Sequence, residues 1–438
     1  MNKGIIRVVW LCHFSNYEVH KRLDLHHGWL MGLLRKMKHR SANSTVSEFA
    51  NWITNGIKEF EKFKDVELHI ISPYQDLKDN CQEFELNGIH YHFFKNEDDA
   101  AISLIFRRVI KPAFWKYKQN RKRISSLIKK IQPDVVHLIG AENPFYSLGL
   151  LDVPHSIVTI TQLQTLLLDS DVKKNNPHFR MYEYRTDVER RVLEYTDYIG
   201  TPALKFRNII TNEICPSTII LNTGLPLKDP VVKDDNSKKL YDFVYFSSDL
   251  SKAADLAIEA FGLAFMQMPD ITLDVIGGYN AAFKQKLDAI IRRYNLENSI
   301  VFEGRLPTHD DVLQQIRKSK YALLPLRSDL VSGTIREAMS NGLPVLTTDT
   351  GALGTQKLNV EAQCALISEI GNHQALAENI LRLINDDKLA KTLQQNAYKK
   401  RIEAKSNEEI SRGYVSAYRA CLNHKNKGIP IPEELIKV

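Results

Sequence analysis

Residues 332–334 read Ser-Gly-Thr, where a polar loop gives way to a run of helix formers. The first backbone N–H groups of a helix have no partner within it, and the helix dipole adds partial positive charge there. That combination suits a phosphate group, and Gly333 lets the backbone approach it closely. Glu337 lies three residues beyond Thr334, one turn along the same face. Its carboxylate can accept hydrogen bonds from the hydroxyls of a ribose or a sugar. Asp329, eight residues before Glu337, is positioned in the loop to reach the same pocket. An ordinary helix cap followed by a surface glutamate has the same spacing, so spacing alone does not choose between the two readings.

These residues require a strand, a loop, a helix and a second strand to hold them. Tyr321 to Leu326 is a short apolar run that suits a buried parallel strand. Arg327 to Gly333 is a loop. Thr334 to Ser340 is helical, with Ile335 and Met339 four apart on one face. Asn341-Gly342 stops that helix, and Pro344 opens the next strand, to Thr348. The same rhythm recurs at both ends of the chain. Ile5 to Phe14 reads as a first strand, residues 47–63 as a helix, and Val66 to Ser72, Ile89 to Phe94, Val135 to Ile139 and His155 to Thr161 as further strands. After a polar, proline-containing stretch at 228–240, strands at Tyr241 to Phe246, Ile271 to Gly277 and Ile300 to Gly304 restart the alternation. Residues 375–420 read as helical. Two βαβ series predict two doubly wound sheets.

A chain of 438 residues with 43% hydrophobic and 25% charged residues fits a globular protein of two or three domains. No apolar run is long enough to span a bilayer. The opening MNKGIIRVVWLCHF reads as a strand rather than a signal peptide. The five cysteines are scattered and odd in number, which suits a reducing cytosol, each as a small buried hydrophobe. His20, His26, His27 and His39 do not make a metal set. His137, inside a strand, is read as a core histidine. The Asp169-Ser170-Asp171 string is short enough to arise by chance.

The net charge is +7, and residues 106–130 are the most basic stretch, with Phe106, Phe114, Trp115 and Tyr117 interleaved. Contact with an anionic lipid surface and a solvated helix face are both compatible with it. Nucleic acid is not expected, because no recognition motif for it accompanies the charge. The apolar set within residues 15–46 fits either a helix packed on its own domain or a basic amphipathic element. No GxGxxG follows the first strand, so dinucleotide binding by that loop is not supported.

The run Asp329-x7-Glu337-Ala-Met-x-x-Gly-Leu-Pro-Val, followed by Thr-x-Asp-x-Gly, resembles the donor-site signature of GT-B glycosyltransferases of the family 4 type. Asp329 stands where that family usually carries Glu. PDVVH at 133–137 resembles its N-terminal domain, and Ile219 to Gly224 its crossing between domains. Lys252 fits the family's diphosphate-binding lysine, whereas Ser247 occupies the place of its arginine. Arg327 and Arg336 are the nearby cations that could replace that charge.

The resemblance implies an α/β protein of two Rossmann-like doubly wound domains facing across a cleft, the GT-B fold. The boundaries expected are 1–225 for an acceptor domain, 226–410 for a nucleotide-sugar donor domain, and 411–438 for a helix and tail crossing back to the first. Lys252, Ser332, Gly333, Thr334 and Arg327 are implied to hold the donor phosphates. Gly277 and Arg305 are expected to line the donor site, Glu337 to bind the ribose, and Asp329 to bind the sugar. Glu142 is expected beside the acceptor. The implied reaction is retaining sugar transfer from a nucleotide-diphospho-sugar to a glycan or lipid-linked acceptor. Neither metal nor cofactor is expected, and the setting is cytoplasmic, on the inner membrane face, in bacterial surface polysaccharide synthesis. A non-catalytic binding subunit and a nucleotide-sugar epimerase remain alternatives. The residues do not name the donor base, the sugar, the acceptor or the oligomeric state.

Overall fold

A computed structural model describes residues 4–25, 48–74, 76–96, 117–168, 179–228, 231–232, 237–247, 252–327, 333–349 and 363–437. Asp329, Ser332, the Asp169-Ser170-Asp171 string, residues 26–47 of the insertion and residues 106–116 of the basic stretch lie outside the described residues.

The chain forms two compact units. The first comprises Met1–Pro226 together with Ser406–Val438, and the second is Leu227–Lys405. The first unit is built on an eight-stranded sheet. Its strands are β1 (Ile6–Leu11), β2 (Val66–Tyr74), β3 (Cys81–Leu86), β4 (Ile89–Lys95), β5 (Val135–Ile139), β6 (Val158–Gln162), β7 (Tyr198–Gly200) and β8 (Ile219–Leu221). They lie in the order β3-β4-β2-β1-β5-β6-β7-β8. All neighbours are parallel except β3, which pairs antiparallel with β4 at the edge. The β3–β4 hairpin turns on Asn87-Gly88, both with positive φ, the conformation such a tight connection needs. β3 alternates exposed and half-buried residues, the mark of an edge strand, and its polar sequence gives no apolar run to read.

The second sheet contains β9 (Tyr241–Phe246), β10 (Leu273–Ile276), β11 (Ile300–Gly304), β12 (Ser319–Leu323), β13 (Val345–Asp349) and β14 (Ala365–Glu369). Its order, β11-β10-β9-β12-β13-β14, is the 3-2-1-4-5-6 arrangement of dinucleotide-binding folds. All its pairings are parallel. Central strands such as β5 and β10 are buried at every residue, because helices cover both faces of a parallel sheet.

Each unit has its own hydrophobic core. The helical stretch after β14 is divided into three helices, His373–Asn385, Asp387–Glu403 and Asn407–Lys427. The last begins with a capping box, in which Ser406 and Glu409 satisfy each other's backbone N–H, and ends on Gly428 at φ 68°. It belongs to the first unit, where Tyr414, Val415, Ala417, Tyr418 and Cys421 are buried. The Tyr418 hydroxyl lies 2.9 Å from Trp10 Nε1 and 2.7 Å from His137 Nδ1. His137 is a core residue, its pKa lowered to about 3 by burial.

The basic helix Lys118–Ile131 packs Ile124, Leu127, Ile128 and Ile131 inward. Several of its cations have partners in the same unit. Arg121 pairs with Asp152, Arg123 donates to the Lys95 carbonyl, and Lys130 pairs with Glu83.

Candidate functional site

In parallel sheets ligands sit at the carboxyl ends of the strands, where the chain order reverses. In the second unit that point falls between β9 and β12. Lys252 follows β9, Gly277 follows β10, and Arg305 follows β11. Arg327 and the helix Gly333–Ser340 follow β12. The expected donor residues that the structure describes therefore come from the carboxyl ends of four neighbouring strands. Asp329 and Ser332 lie outside the described residues.

The strand ends are tied together. Gly277 N donates to the Gly304 carbonyl at 2.8 Å, and Ser247 N donates to the Ile276 carbonyl at 3.0 Å. A Cβ on Gly277 would stand 2.3 Å from the Ser247 carbonyl oxygen, so this position needs glycine. The Tyr279 hydroxyl donates to the same oxygen at 2.8 Å. Ser247 thus shapes the end of β9 through its backbone, in the place where the family's arginine would stand. Lys252 accepts a hydrogen bond from Tyr245 at its own carbonyl, 2.9 Å away. Ala253 follows at φ 54° and leads into the helix Ala254–Phe265.

Arg327 is anchored. Its Nη2 lies 2.8 Å from Asp255 Oδ2, and Lys286 pairs with the same oxygen. Burial pushes the Asp255 carboxyl up, but hydrogen bonds and charge from Lys286 and Arg327 outweigh it and hold its pKa below the usual range. Arg327 therefore brings to the switch point a cation already shared with an acid. Burial, with Arg401 nearby, lowers the Arg336 pKa to about 10. Sequence reading missed Asp255 because a single acid at a helix start looks like a cap.

Glu337 lies on the helix whose Ile335, Ala338 and Met339 are buried in the core. Its Oε1 is 3.7 Å from where a Cβ on Gly333 would be, so the carboxylate folds back toward the helix start. His309 Nε2 lies 3.9 Å from the same oxygen. His309 opens the helix His309–Ile316, which Thr308 and Asp311 close with a capping box. Its approach to Glu337 is set by packing of separate helices, which sequence spacing cannot reveal.

In the first unit the order reverses between β1 and β5. His13 follows β1 and Glu142 follows β5. Gly140, at φ 89°, turns the chain, and a Cβ there would meet the Tyr146 hydroxyl at 2.8 Å and Glu142 Oε2 at 3.1 Å. Glu142 is buried, and burial raises its pKa. Asn143 donates to Oε1, whereas Oε2 has no hydrogen-bond partner among the described residues. Arg185 holds the loop by donating to the Glu142 carbonyl and to Asn143 Oδ1, both at 2.8 Å. Glu189, one turn along the helix from Arg185, is raised to about 8 by burial, with a smaller contribution from Glu142. His13 packs against Phe49 and Phe145, and burial lowers it to about 4. Sequence reading found Glu142 and missed His13, Arg185 and Glu189, which lie far from it in the chain.

Residues 232–400 match the family described as glycosyl transferases group 1. Those residues are a group 1 glycosyl transferase domain. The transferase domain spans most of the second unit and carries Lys252, Gly277, Arg305, Arg327, Gly333, Thr334 and Glu337. An uncharacterised glycosyltransferase of Methanocaldococcus jannaschii is 25% identical over 248 residues, 56% of this chain and 63% of that protein. The whole chain is similar in fold to sucrose-phosphate synthase of Thermosynechococcus elongatus, at TM-score 0.65 and 15% identity, over 94% of this chain and 98% of that one. It is also similar to the HepE protein of Anabaena solved with UDP and glucose, at TM-score 0.62 and 13% identity, over 95% and 100% of the two chains. A trehalose-6-phosphate protein of E. coli bound with UDP-2-fluoro glucose gives TM-score 0.65 at 11% identity, over 94% and 99%. The chain has the two-domain GT-B fold, with the transferase domain as its second half.

Proposed function

We propose that the protein transfers a sugar, with retention of configuration, from a nucleotide-diphospho-sugar to a glycan or lipid-linked acceptor. The observation that carries this reading is the position of Lys252, Gly277, Arg327, Gly333 and Glu337 after the carboxyl ends of β9, β10 and β12, at and beside the switch point of a glycosyl transferase domain. The positive end of the helix Gly333–Ser340 and the Lys252 ammonium bind the diphosphate. They stabilise the charge that builds on it as the bond to the sugar C1 breaks. The acceptor oxygen bonds to C1, and its proton leaves with the diphosphate. Glu337 accepts from ribose hydroxyls, and Asp329 from the sugar. Glu142 binds the acceptor in the first unit. No step in this scheme calls on a metal.

UDP is the first donor nucleotide to test, because the HepE and trehalose-6-phosphate structures contain UDP or a UDP-sugar. Calorimetric titration without metal should show UDP bound by the full chain and at least tenfold weaker binding by Glu337→Ala. GDP and ADP serve as comparisons. Absence of binding by all three nucleotides would remove the reading, and donor turnover without any acceptor would replace it with epimerisation. A lipid-linked acceptor suits the basic, aromatic-containing stretch 106–130 and a role in surface polysaccharide synthesis at the inner membrane face. Co-sedimentation with vesicles should then rise with anionic lipid content, and an unchanged bound fraction would count against it.

A further inference from the structure

Three neighbouring strands at the edge of the first sheet present a histidine–carboxylate ladder on one face. β2 contributes Glu67 and His69, β4 contributes His90 and His92, and β3 contributes Glu83 and Glu85. Within each strand the two residues are separated by one, so they share a face. The register brings them side by side, with His69 opposite His90, His90 opposite Glu85, and His92 opposite Glu83. The intervening Leu68 and Tyr91 point into the core. Glu67 and His69 occupy the first half of β2, away from the carboxyl strand ends that carry His13 and Glu142.

We propose that Glu67, His69 and His90 form a binding site for a divalent transition metal of the zinc class. One ligand atom from each lies within 4.8 Å of the other two. His69 Nε2 and Glu67 Oε1 are already 2.9 Å apart, and the His69 and His90 rings stack at 4.6 Å. A tetrahedral zinc site needs ligand atoms about 3.3 Å apart, given bonds of about 2.0–2.1 Å. A small rotation of His90, which is about one-third exposed, closes the difference. Arg7 fixes the Glu67 carboxylate through Nε at 3.0 Å and Nη2 at 3.1 Å. Water completes the coordination on the open side.

A proton count around the ladder supports the site independently. Glu67, His69, His92 and Glu83 form a chain of three close contacts, at 2.9, 3.0 and 3.2 Å. Each contact needs one proton to become a hydrogen bond, but two neutral imidazoles carry only two. With both rings neutral one contact lacks its proton, and His92 Nδ1, 3.2 Å from Glu83 Oε2, makes no well-formed hydrogen bond there. A metal on His69 Nε2 removes the deficit. His69 then carries its proton on Nδ1 and donates to His92 Nε2, and His92 donates from Nδ1 to Glu83. That is the outer-shell relay which orients metal-binding histidines elsewhere.

Titration of the metal-stripped full chain with Zn²⁺ tests the proposal. The expected result is saturable one-to-one binding that raises the melting midpoint. His69→Gln and His90→Gln should each weaken binding by about tenfold or more, and Glu83→Gln, in the outer shell, by about tenfold. Cys81 lies on the same face of β3 and could capture zinc by itself. Binding lost in Cys81→Ser but retained in both histidine variants would overturn the proposal, as would absence of binding. Co²⁺ provides a second readout, with tetrahedral absorption bands lacking thiolate charge transfer. Circular dichroism of His90→Gln, at the more exposed ligand, separates loss of the site from loss of folding.

Discussion

At Ala253 an alanine occupies a left-handed backbone conformation that favours glycine, immediately after Lys252, which we propose binds phosphate. Ala253→Gly should therefore stabilise the protein by about 1 kcal/mol, offset in part by the flexibility glycine adds to the unfolded chain. Chemical denaturation would register it as a higher midpoint at unchanged slope. Gly277→Ala should do the opposite, because its Cβ would stand 2.3 Å from a backbone oxygen. A loss of about 1–3 kcal/mol is expected, together with weaker nucleotide binding. Glu189 supplies a pH dependence. Its folded pKa, about 8, lies above the value of about 4.3 for an unfolded glutamate. Between those values the folded state holds a proton that the unfolded state has lost, so this contribution to stability is present at low pH and disappears as pH rises toward 8. Each pH unit in that window changes stability by up to about 1.4 kcal/mol. Glu189→Gln, which mimics the protonated form, should flatten the decline. A parallel decline in wild type and variant would show that another group causes it.

At the scale of elements, the helix Asn407–Lys427 decides the integrity of the first unit. Its Tyr418 hydroxyl accepts from Trp10 and shares a 2.7 Å hydrogen bond with His137 Nδ1 at the centre of the core. Tyr414 donates to the Gly224 carbonyl, and Lys425 pairs with Asp197. Tyr418→Phe leaves two buried polar atoms without their partner and should cost about 1–3 kcal/mol, measured by thermal or urea unfolding. In the basic helix Lys118–Ile131, Arg121, Arg123 and Lys130 are engaged within their own unit.

For the whole molecule, the two units have separate cores, and only the second is continuous in sequence. A fragment spanning 227–405 should fold cooperatively by itself and retain nucleotide binding. Residues 1–226 without 406–438 should not, because Tyr414, Val415, Tyr418 and Cys421 complete their core. Circular dichroism melts of the two fragments would distinguish these outcomes, and a cooperative transition in 1–226 alone would refute the second.

By itself the sequence determined the alternation of buried strands with helices and the short helix that follows β12. Both are local, written in apolar runs and helix-start chemistry within about 30 residues. It also supplied the donor motif around Glu337, which resembles a known signature. Tertiary structure alone decided which strand ends adjoin, and therefore that Arg327 reaches Asp255, His309 approaches Glu337, and His13 and Glu142 flank one switch point. It alone assigned the last long helix to the first core, and it assembled the ladder of His69, His90, His92 and their carboxylates. The edge strand β3 escaped sequence reading because its outer face carries polar residues and no apolar run marks it. The common reason is that strand order and register are fixed by packing between distant segments, and no local spacing encodes them.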